Sequence, residues 1–510
     1  MGLFFVPLGT VEEVANGMKQ PFFQSASASS KSDDFRSHAL IFGVGAMLIP
    51  VSGVLLLPLY LNYLSAEQFG TLEIVNQISN VLCLCFLSAG VYHATGTFYL
   101  QAKDDKERGS IAATVLLLYL TAIGAGSLLA IPLLGGYGNF FGVDDFSLLL
   151  FGLGGSLILS TLEIPYVLMR CRMESAGFVI VTFLQFLIRV FGTVIAVAWL
   201  GLGVWGVLAM YWISGVLFAV ILFVREFLKG TFRPNAALLG PMFVFAIPFL
   251  PAGICTFIQI NGDRFFLARW FDLETVGLYA LAWKIAGCVA MLSALPMQRV
   301  WLVRQYEVLP TPDGPVRAAR FCTLIVAVQL FVGLGLSLFC REILMLIGKE
   351  EYWKAAELIP LLILADVFLY ANYFFEGPLF VYRRTPLKFL NALVATIAVL
   401  CLFAVLVPRY GTFGAATATI LGNLILAVGS LILTRNIRRI DYAWLTLVWM
   451  LGLAVAVVWL GRCADTFFDL ERIAALDGIG NRLLALPPIA VTKIALLGVW
   501  TALTVRFGTI

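Results

Sequence analysis

Long apolar stretches recur along this sequence and are separated by short connections that carry most of the charge. Many stretches reach the roughly 20 residues that a helix needs to cross the hydrocarbon core of a bilayer. Charged residues make up 13% of the chain, about half of the roughly 25% that is typical of a soluble domain. A chain this apolar cannot cover a surface that faces water. The sequence therefore predicts an all-α polytopic membrane protein.

About fourteen transmembrane helices are predicted, and the charge of their connections indicates how they are oriented. The spans are drawn at 39–61, 72–94, 111–134, 146–168, 178–200, 204–224, 246–268, 276–297, 321–339, 358–381, 389–407, 412–433, 444–460 and 489–505. The connections at one end, together with the termini, hold 22 of the 34 Lys and Arg residues, and those at the other end hold 8. By the positive-inside rule both termini are cytoplasmic and the 461–488 connection is outside.

Three short motifs recur about 207 to 213 positions later in the same order. They are Glu-Gln-Phe-Gly at 67–70 with Glu-Thr-Val-Gly at 274–277, Gly-Val-Trp-Gly at 203–206 with Gly-Thr-Phe-Gly at 411–414, and Pro165 with Arg170 against Pro378 with Arg383. Six helices per copy is an even number, so the copies share one orientation and are related by an axis along the membrane normal. We expect a flexible cytoplasmic tail (1–38), an N-terminal six-helix half (39–224), a cytoplasmic linker (225–245), a C-terminal six-helix half (246–434) and two additional helices (435–510).

Several ionisable side chains fall inside predicted spans, where each costs roughly 2.5–3.5 kcal/mol on insertion scales. Three of the cations among them, Arg189, Arg264 and Lys284, are candidates for a ligand site. Together they favour an anionic ligand in a polar cavity between the halves. Four residues share the helix face of Arg189 and form a polar stripe with it: Thr182, Gln185, Gly192 and Thr193.

Carboxylates also enter the predicted spans. Glu73, Asp263, Asp366 and Glu376 are candidates for coupling to a proton or cation, or for gating. The alternative is that these groups only form interhelical pairs, such as Asp263 with a neighbouring cation, and have no further role. Lys493 in the last helix is expected to snorkel toward the membrane surface.

Several chemistries are not indicated by the residues. No P-loop motif is present, so transport is expected to use an ion gradient, the membrane potential or the substrate's own gradient. Two histidines and no Cys-x-x-Cys make a zinc site improbable, and no cofactor is expected. The small net charge of +4 does not suggest nucleic acid. A membrane-embedded enzyme is an alternative, but Asp465, Asp469, Glu471 and Asp477 of the 461–488 connection are interpreted as solvated loop charges.

Five short segments resemble the polysaccharide transporter family, which includes the O-antigen flippases. They are Ser-Ala-Glu-Gln-Phe-Gly-Thr-Leu at 65–72, Asp-Arg-Phe-Phe-Leu at 263–267, Leu-Glu-Thr-Val-Gly-Leu-Tyr-Ala-Leu-Ala-Trp-Lys-Ile at 273–285, Tyr-Trp-Lys-Ala-Ala at 352–356 and Gly-Thr-Phe-Gly-Ala-Ala at 411–416. The family belongs to the multidrug/oligosaccharidyl-lipid/polysaccharide exporter superfamily. Arg264 and Lys284 fall on its pattern, whereas Arg189 matches no family motif.

The resemblance implies a V-shaped bacterial inner-membrane flippase for a polyprenyl-diphosphate-linked oligosaccharide, not an enzyme. Its substrate would be an O-antigen, exopolysaccharide or capsule unit that crosses from the cytoplasmic to the periplasmic leaflet by alternating access. The expected partners are this substrate and membrane lipids, with a polysaccharide polymerase and export machinery as candidates. A cation-coupled multidrug exporter of the same superfamily is the alternative.

Overall fold

The computed structural model describes residues 51–85, 88–140, 145–228, 234–247, 249–347, 349–382, 384–467 and 487–508, with positions 42, 45, 47, 48, 142 and 143. The predicted tail at 1–38, Arg383 and residues 468–486 of the 461–488 connection lie outside this part of the chain. All regular secondary structure in the described residues is helical. The predicted all-α fold class is confirmed.

The described residues of the N-terminal half include eight helices, α1 to α8. They are Leu57–Tyr63, Ala66–Cys85, Ser88–Gln101, Asp105–Phe140, Phe146–Thr161, Glu163–Cys171, Ser175–Val194 and Gly203–Leu228. Helices α9 to α16 follow as Ala236–Ala246, Phe249–Trp270, Leu273–Val289, Leu295–Val308, Gly314–Ile347, Ile359–Phe375, Gly377–Val381 and Thr385–Arg435. The additional helices are α17, Trp444–Phe467, and α18, Pro487–Gly508.

Ten described helical stretches are long and apolar enough to cross a membrane, or up to eleven when the bent pair α9 and α10 counts as one span. The predicted eleventh and twelfth spans both lie within α16, whose backbone leaves the helical conformation at Gly411, between the two spans. Of the predicted first span the structure describes mainly residues 51–63, which form an apolar helix, and the described residues of the predicted second span lie in α2 and α3. The count of fourteen therefore stays a prediction.

Equivalent residues of the two copies cap equivalent helices. Ser65 Oγ accepts a hydrogen bond from the backbone N–H of Gln68 at 3.1 Å and begins α2. Asp272, which lies 207 positions later in the sequence, accepts one from the backbone N–H of Thr275 at 2.8 Å and begins α11. Capping side chains satisfy N–H groups that have no partner within the first turn of a helix. Both copies therefore start this helix at the same position of the repeat.

The second repeated motif has the same backbone geometry in both copies. Gly203 has φ +55° and Gly411 has φ +56°, a left-handed conformation that glycine adopts without the steric cost of a Cβ. In the first copy this glycine begins α8, and in the second it forms the kink within α16. The matching backbone conformation at matching positions supports the duplication.

The buried apolar residues show where the two halves meet. One core joins the two halves, because it combines the end of α1 and the start of α2 with the end of α10 and most of α11. At the opposite end of the helices, one separate core lies within the N-terminal half, and another joins the C-terminal half to α17 and α18. The core that the two halves share lies at one end, which fits the predicted V shape.

Candidate functional site

The helices α2 and α11 carry the contact between the halves, and a charged cluster lies just beyond their crossing. Glu73 of α2 is 4% exposed although it is a carboxylate. Its Oε2 lies 2.8 Å from Lys284 Nζ and its Oε1 lies 3.4 Å from Arg264 Nε. Gln77 Nε2 donates a further hydrogen bond to Oε1 at 2.9 Å. One carboxylate of the N-terminal half thus faces two cations of the C-terminal half.

The two cations differ in how much of each side chain is exposed. Arg264 is 7% exposed and its guanidinium also contacts Asp263 Oδ1 at 3.2 Å. The Lys284 side chain is 30% exposed, and its Nζ lies 4.6 Å from the centre of the Phe69 ring. An approaching anion would therefore reach Lys284 before it reaches Arg264.

Asp263 is saturated by hydrogen bonds within its own half. Its Oδ2 accepts from Tyr279 Oη at 2.8 Å and from Trp283 Nε1 at 2.9 Å, while its Oδ1 accepts from the backbone N–H of Arg264 at 2.9 Å. A buried carboxylate with these donors and an adjacent guanidinium is stable without any ligand. Asp263 therefore has a neighbouring cation, as in the alternative from the sequence, but this cation is the next residue of the same helix, and the contacts of Asp263 with another helix are hydrogen bonds from neutral donors.

Arg189 lies apart from this cluster. Its guanidinium carbon is 4.6 Å from the centre of the Tyr211 ring of α8, and it has no carboxylate partner among the residues that the structure describes. The polar stripe beside it packs within the N-terminal half, because Thr182 is buried and Gln185 accepts a hydrogen bond from Tyr166 Oη at 2.6 Å. The structure thus brings Arg264 and Lys284 together, but not Arg189.

The remaining predicted carboxylates lie on or just after α14 and make no ion pair with Arg264 or Lys284. Asp366 is 3% exposed, and no cation pairs with it in the described ranges. Glu376 contacts Lys388 Nζ at 3.2 Å, and Asn372 donates to it at 3.4 Å. Asp366 is therefore a buried acid without a counterion, whereas Glu376 belongs to a local pair.

The prediction that Lys493 snorkels is wrong. Its side chain is 1% exposed, and its Nζ lies 2.5 Å from Glu342 Oε1 and 2.6 Å from Asp465 Oδ1. The interpretation of Asp465 as a solvated loop charge is also wrong, because α17 continues to Phe467 and buries it. Their pairing with Lys493 was missed because Glu342 and Asp465 lie three and five residues beyond the apolar spans at 321–339 and 444–460. The charge of Lys493 inside the last predicted helix was the sequence signal that pointed to a buried ion pair.

No cluster of three or more metal-ligating side chains occurs within the described ranges. Outside the spans, two carboxylates that cap helices have pKa values below the ordinary value of an aspartate. Hydrogen bonds from Ser147 lower the pKa of Asp145, and hydrogen bonds from Thr275 lower the pKa of Asp272.

Comparisons with known proteins agree with this architecture. Residues 63–302 match the model of a family described as polysaccharide biosynthesis protein. Among curated proteins there is no significant match. The solved structure of the lipid II flippase MurJ in an inward closed conformation is similar with a TM-score of 0.70 at 12% identity, covering 92% of this chain and 99% of that one.

Two MATE transporters are similar over a smaller share of the chain. An inward-facing multidrug resistance MATE family transporter of the MOP superfamily has a TM-score of 0.59 at 15% identity, covering 78% of this chain and 97% of that one. The MATE multidrug transporter DinF-BH has a TM-score of 0.57 at 15% identity, covering 79% and 95%. The resemblance stated from the sequence is thus confirmed: residues 63–302 match a polysaccharide biosynthesis family, and the fold of this chain is similar to the folds of MurJ and of the two MATE transporters.

Proposed function

We propose that this protein is a flippase that moves a polyprenyl-diphosphate-linked oligosaccharide from the cytoplasmic to the periplasmic leaflet of the bacterial inner membrane. The observation that carries the proposal is the cluster in which Glu73 faces Arg264 and Lys284 across the two halves. A diphosphate brings negative charge that must cross about 30 Å of hydrocarbon. Two cations at the junction of the halves can offset part of the cost of removing water from that charge.

The proposal gives the described conformation a place in the transport cycle. The end at which the halves share one core is the end where α2 and α11 begin. By the predicted orientation this end is periplasmic, so the protein is closed toward the periplasm. The substrate then enters from the cytoplasmic side, where the two halves have separate cores.

Glu73 would act as the gating residue in this scheme. In the described conformation it neutralises the same two cations that the diphosphate would use. A bound diphosphate would compete with Glu73 for Lys284, the more exposed cation, and would weaken an ion pair that holds the halves together. Substrate binding would therefore favour separation at the periplasmic end, which is the step that releases the substrate outward. Arg189 would assist from the N-terminal half, and Asp366 and Glu376 remain candidates for ion coupling.

The test is restoration of surface glycan in a flippase-deficient cell, measured together with the amount of protein in the membrane. The double variant Lys284→Ala, Arg264→Ala should reach the membrane and fail to restore the glycan. Lys354→Ala removes an exposed charge from a short helix at the same predicted end and should restore it fully. Normal glycan export by the well-expressed double variant would refute the proposed role of the two cations.

A cation-coupled multidrug exporter is the second candidate, favoured by the similarity to MATE structures and by the unpaired carboxyl of Asp366. A drug exporter should lower the accumulation of a cationic dye in cells and should lose this activity in Asp366→Asn. A flippase should have no effect on the dye. The candidate partners, a polysaccharide polymerase and export machinery, would be sought by crosslinking the flippase in the same cells.

A further inference from the structure

A small cavity lies where α16 ends and the chain turns back toward α17. It has a volume of about 210 Å³, and its charged lining consists of Arg435, Arg438, Arg439 and Asp441. These four side chains give the lining a net charge of +2. Arg439 and Asp441 form a pair at 2.9 Å, but both side chains are more than two-thirds exposed. Such a surface pair is weak, so it leaves the cavity cationic.

Arg438, one of the residues that line this cavity, has a hydrogen-bond donor without a partner in the described part of the chain. Its Nη2 donates to the backbone carbonyl of Thr311 at 3.1 Å, which fixes the guanidinium in place. Its Nε is buried and has no hydrogen-bond partner within the described part of the chain. A buried donor without a partner costs about 1–3 kcal/mol. A ligand oxygen that accepted this hydrogen bond would remove the cost.

The surroundings of the cavity are those of a membrane surface. Tyr442 and Trp444 line it, with ring centres 5.5 Å apart, and these two residue types are enriched at the interface between membrane and water. The last turn of α16 exposes Ile432 (64%) and the first turn of α17 exposes Leu445 (85%). Cationic groups thus lie next to side chains suited to contact acyl chains.

A larger cavity elsewhere in the fold lacks this charge imbalance. It has a volume of about 520 Å³ and lies at the ends of α3 and α6, where Asp105 and Glu174 accompany Arg108 and Arg172. Arg108 pairs with Asp105 at 3.1 Å, and Arg172 pairs with Glu226 at 2.7 Å. Its lining is therefore neutral, and its cations are already engaged.

We propose that the cavity between α16 and α17 binds the phosphate headgroup of an anionic phospholipid. Arginine presents several N–H donors in a fixed plane that suits phosphate oxygens, and basic pockets between transmembrane helices are known recognition sites for anionic headgroups. The headgroup would receive a hydrogen bond from the free Nε of Arg438 and would bridge the C-terminal half to the two additional helices. The site is independent of the flippase cluster and does not require the proposed substrate.

Native mass spectrometry of the full chain in detergent tests the proposal by counting retained phosphatidylglycerol and phosphatidylcholine molecules. Wild-type protein should retain phosphatidylglycerol in preference to phosphatidylcholine. The double variant Arg435→Gln, Arg439→Gln, which keeps Arg438 and its bond to Thr311, should bind phosphatidylglycerol about 10- to 30-fold more weakly, the loss expected for two basic residues at a membrane surface. The matched control Arg317→Gln, Arg320→Gln removes two exposed arginines outside the cavity and should retain wild-type binding.

Two outcomes would overturn the assignment. Equal loss in the variant and its control would mean that general surface charge holds the lipid. Displacement of phosphatidylglycerol from the wild type by millimolar inorganic phosphate, without effect on the double variant, would assign the cavity to free phosphate and not to a lipid. A thermal unfolding scan of each variant without lipid separates loss of the site from loss of the fold. Arg438→Lys, which retains the charge but not the Nε donor, should then show an intermediate affinity.

Discussion

Gly70 and Gly277 are counterparts in the repeat, 207 positions apart, and they are also neighbours in space. A Cβ added to Gly70 would lie 1.7 Å from the carbonyl oxygen of Leu273, and one added to Gly277 would lie 2.1 Å from that of Ala66. Ala66 and Leu273 are themselves separated by 207 positions. The contact is therefore reciprocal, as in a symmetric dimer, where each copy offers the same surface to the other.

This contact predicts that one methyl group disturbs closure. Gly70→Ala should separate α2 from α11 and disfavour the closed form by about 1–3 kcal/mol, the usual cost of overpacking. Disulfide formation between cysteines placed at 66 and 273 in a cysteine-free background reports the contact and should fall. Gly287→Ala is the control, since a Cβ there meets no atom within 4 Å. Undiminished crosslinking in Gly70→Ala would show that the contact is not as tight as described.

The ion pair between Glu73 and Lys284 should appear as an interaction free energy in a double-mutant cycle of protein stability. Removing one partner of a buried ion pair leaves the other uncompensated and costs about 3–5 kcal/mol, so Glu73→Gln and Lys284→Met should each unfold at a lower temperature in detergent, although both still reach the membrane. The double variant should lose less than the sum, with an interaction free energy of about 0.5–3 kcal/mol. Thermal unfolding in detergent gives the stability of the wild type, the two single variants and the double variant. Additive losses would mean that the 2.8 Å contact contributes nothing to stability.

Glycan export by variants of Lys284 should show whether the charge or the shape of this side chain is needed for transport. Lys284→Arg keeps the cation and should retain part of the glycan export, whereas Lys284→Ala should abolish it while the protein still reaches the membrane. Lys284→Ala should be more damaging than Arg189→Ala, because Arg189 contacts an aromatic ring within the N-terminal half and lies outside the cluster. Equal activity of the alanine and arginine variants would contradict a role for the charge.

Particular residues show how far the sequence determines this site. The repeat interval placed the Asp263–Arg264 pair inside a helix, and the structure has both in α10. The sequence could not show that Glu73 faces Lys284, because this contact depends on how α2 and α11 cross. Their close approach is possible because Gly70 and Gly277 have no side chains at the crossing. It also could not place Arg189, since a polar stripe is equally compatible with a cleft and with packing inside one half.

The predicted ends of the transmembrane spans differ from the observed helix ends for a different reason. Hydropathy ends a span where charge begins, but a charged residue that finds a counterion can remain buried. Asp465 is such a residue, and α17 extends seven residues past the predicted end at 460. Gly411 illustrates the opposite case: it lies between the predicted spans at 389–407 and 412–433, and its positive φ interrupts the helical conformation of α16 there without a loop.

The equivalent helix caps predict a pH dependence in one copy of the repeat only. Hydrogen bonds from Thr275 lower the pKa of Asp272 below its ordinary value of 3.8. The cap therefore stabilises the folded protein above about pH 4 and loses this contribution as the pH falls through the lowered pKa. Asp272→Ala should cost about 0.5–2 kcal/mol at pH 7 and less at pH 3. Ser65→Ala should cost a similar amount at both pH values, because a hydroxyl does not titrate there. Thermal unfolding at the two pH values checks both, and a pH-independent loss in Asp272→Ala would contradict the capping role.

The last prediction concerns the buried triad that ties the additional helices to the C-terminal half. Lys493 of α18 contacts Glu342 of α13 and Asp465 of α17, so one ammonium group serves two carboxylates. Lys493→Met should leave both carboxylates unpaired and destabilise the protein by about 3–5 kcal/mol. The triple variant Lys493→Met, Glu342→Gln, Asp465→Asn removes every charge and should recover most of that loss, since well-packed neutral groups can replace a buried ion pair. Protein level and thermal unfolding of the two variants measure the difference. If the triple variant is less stable than Lys493→Met, the ion pairs themselves hold α17 and α18 in place, and unpaired charge is not the cause of the loss.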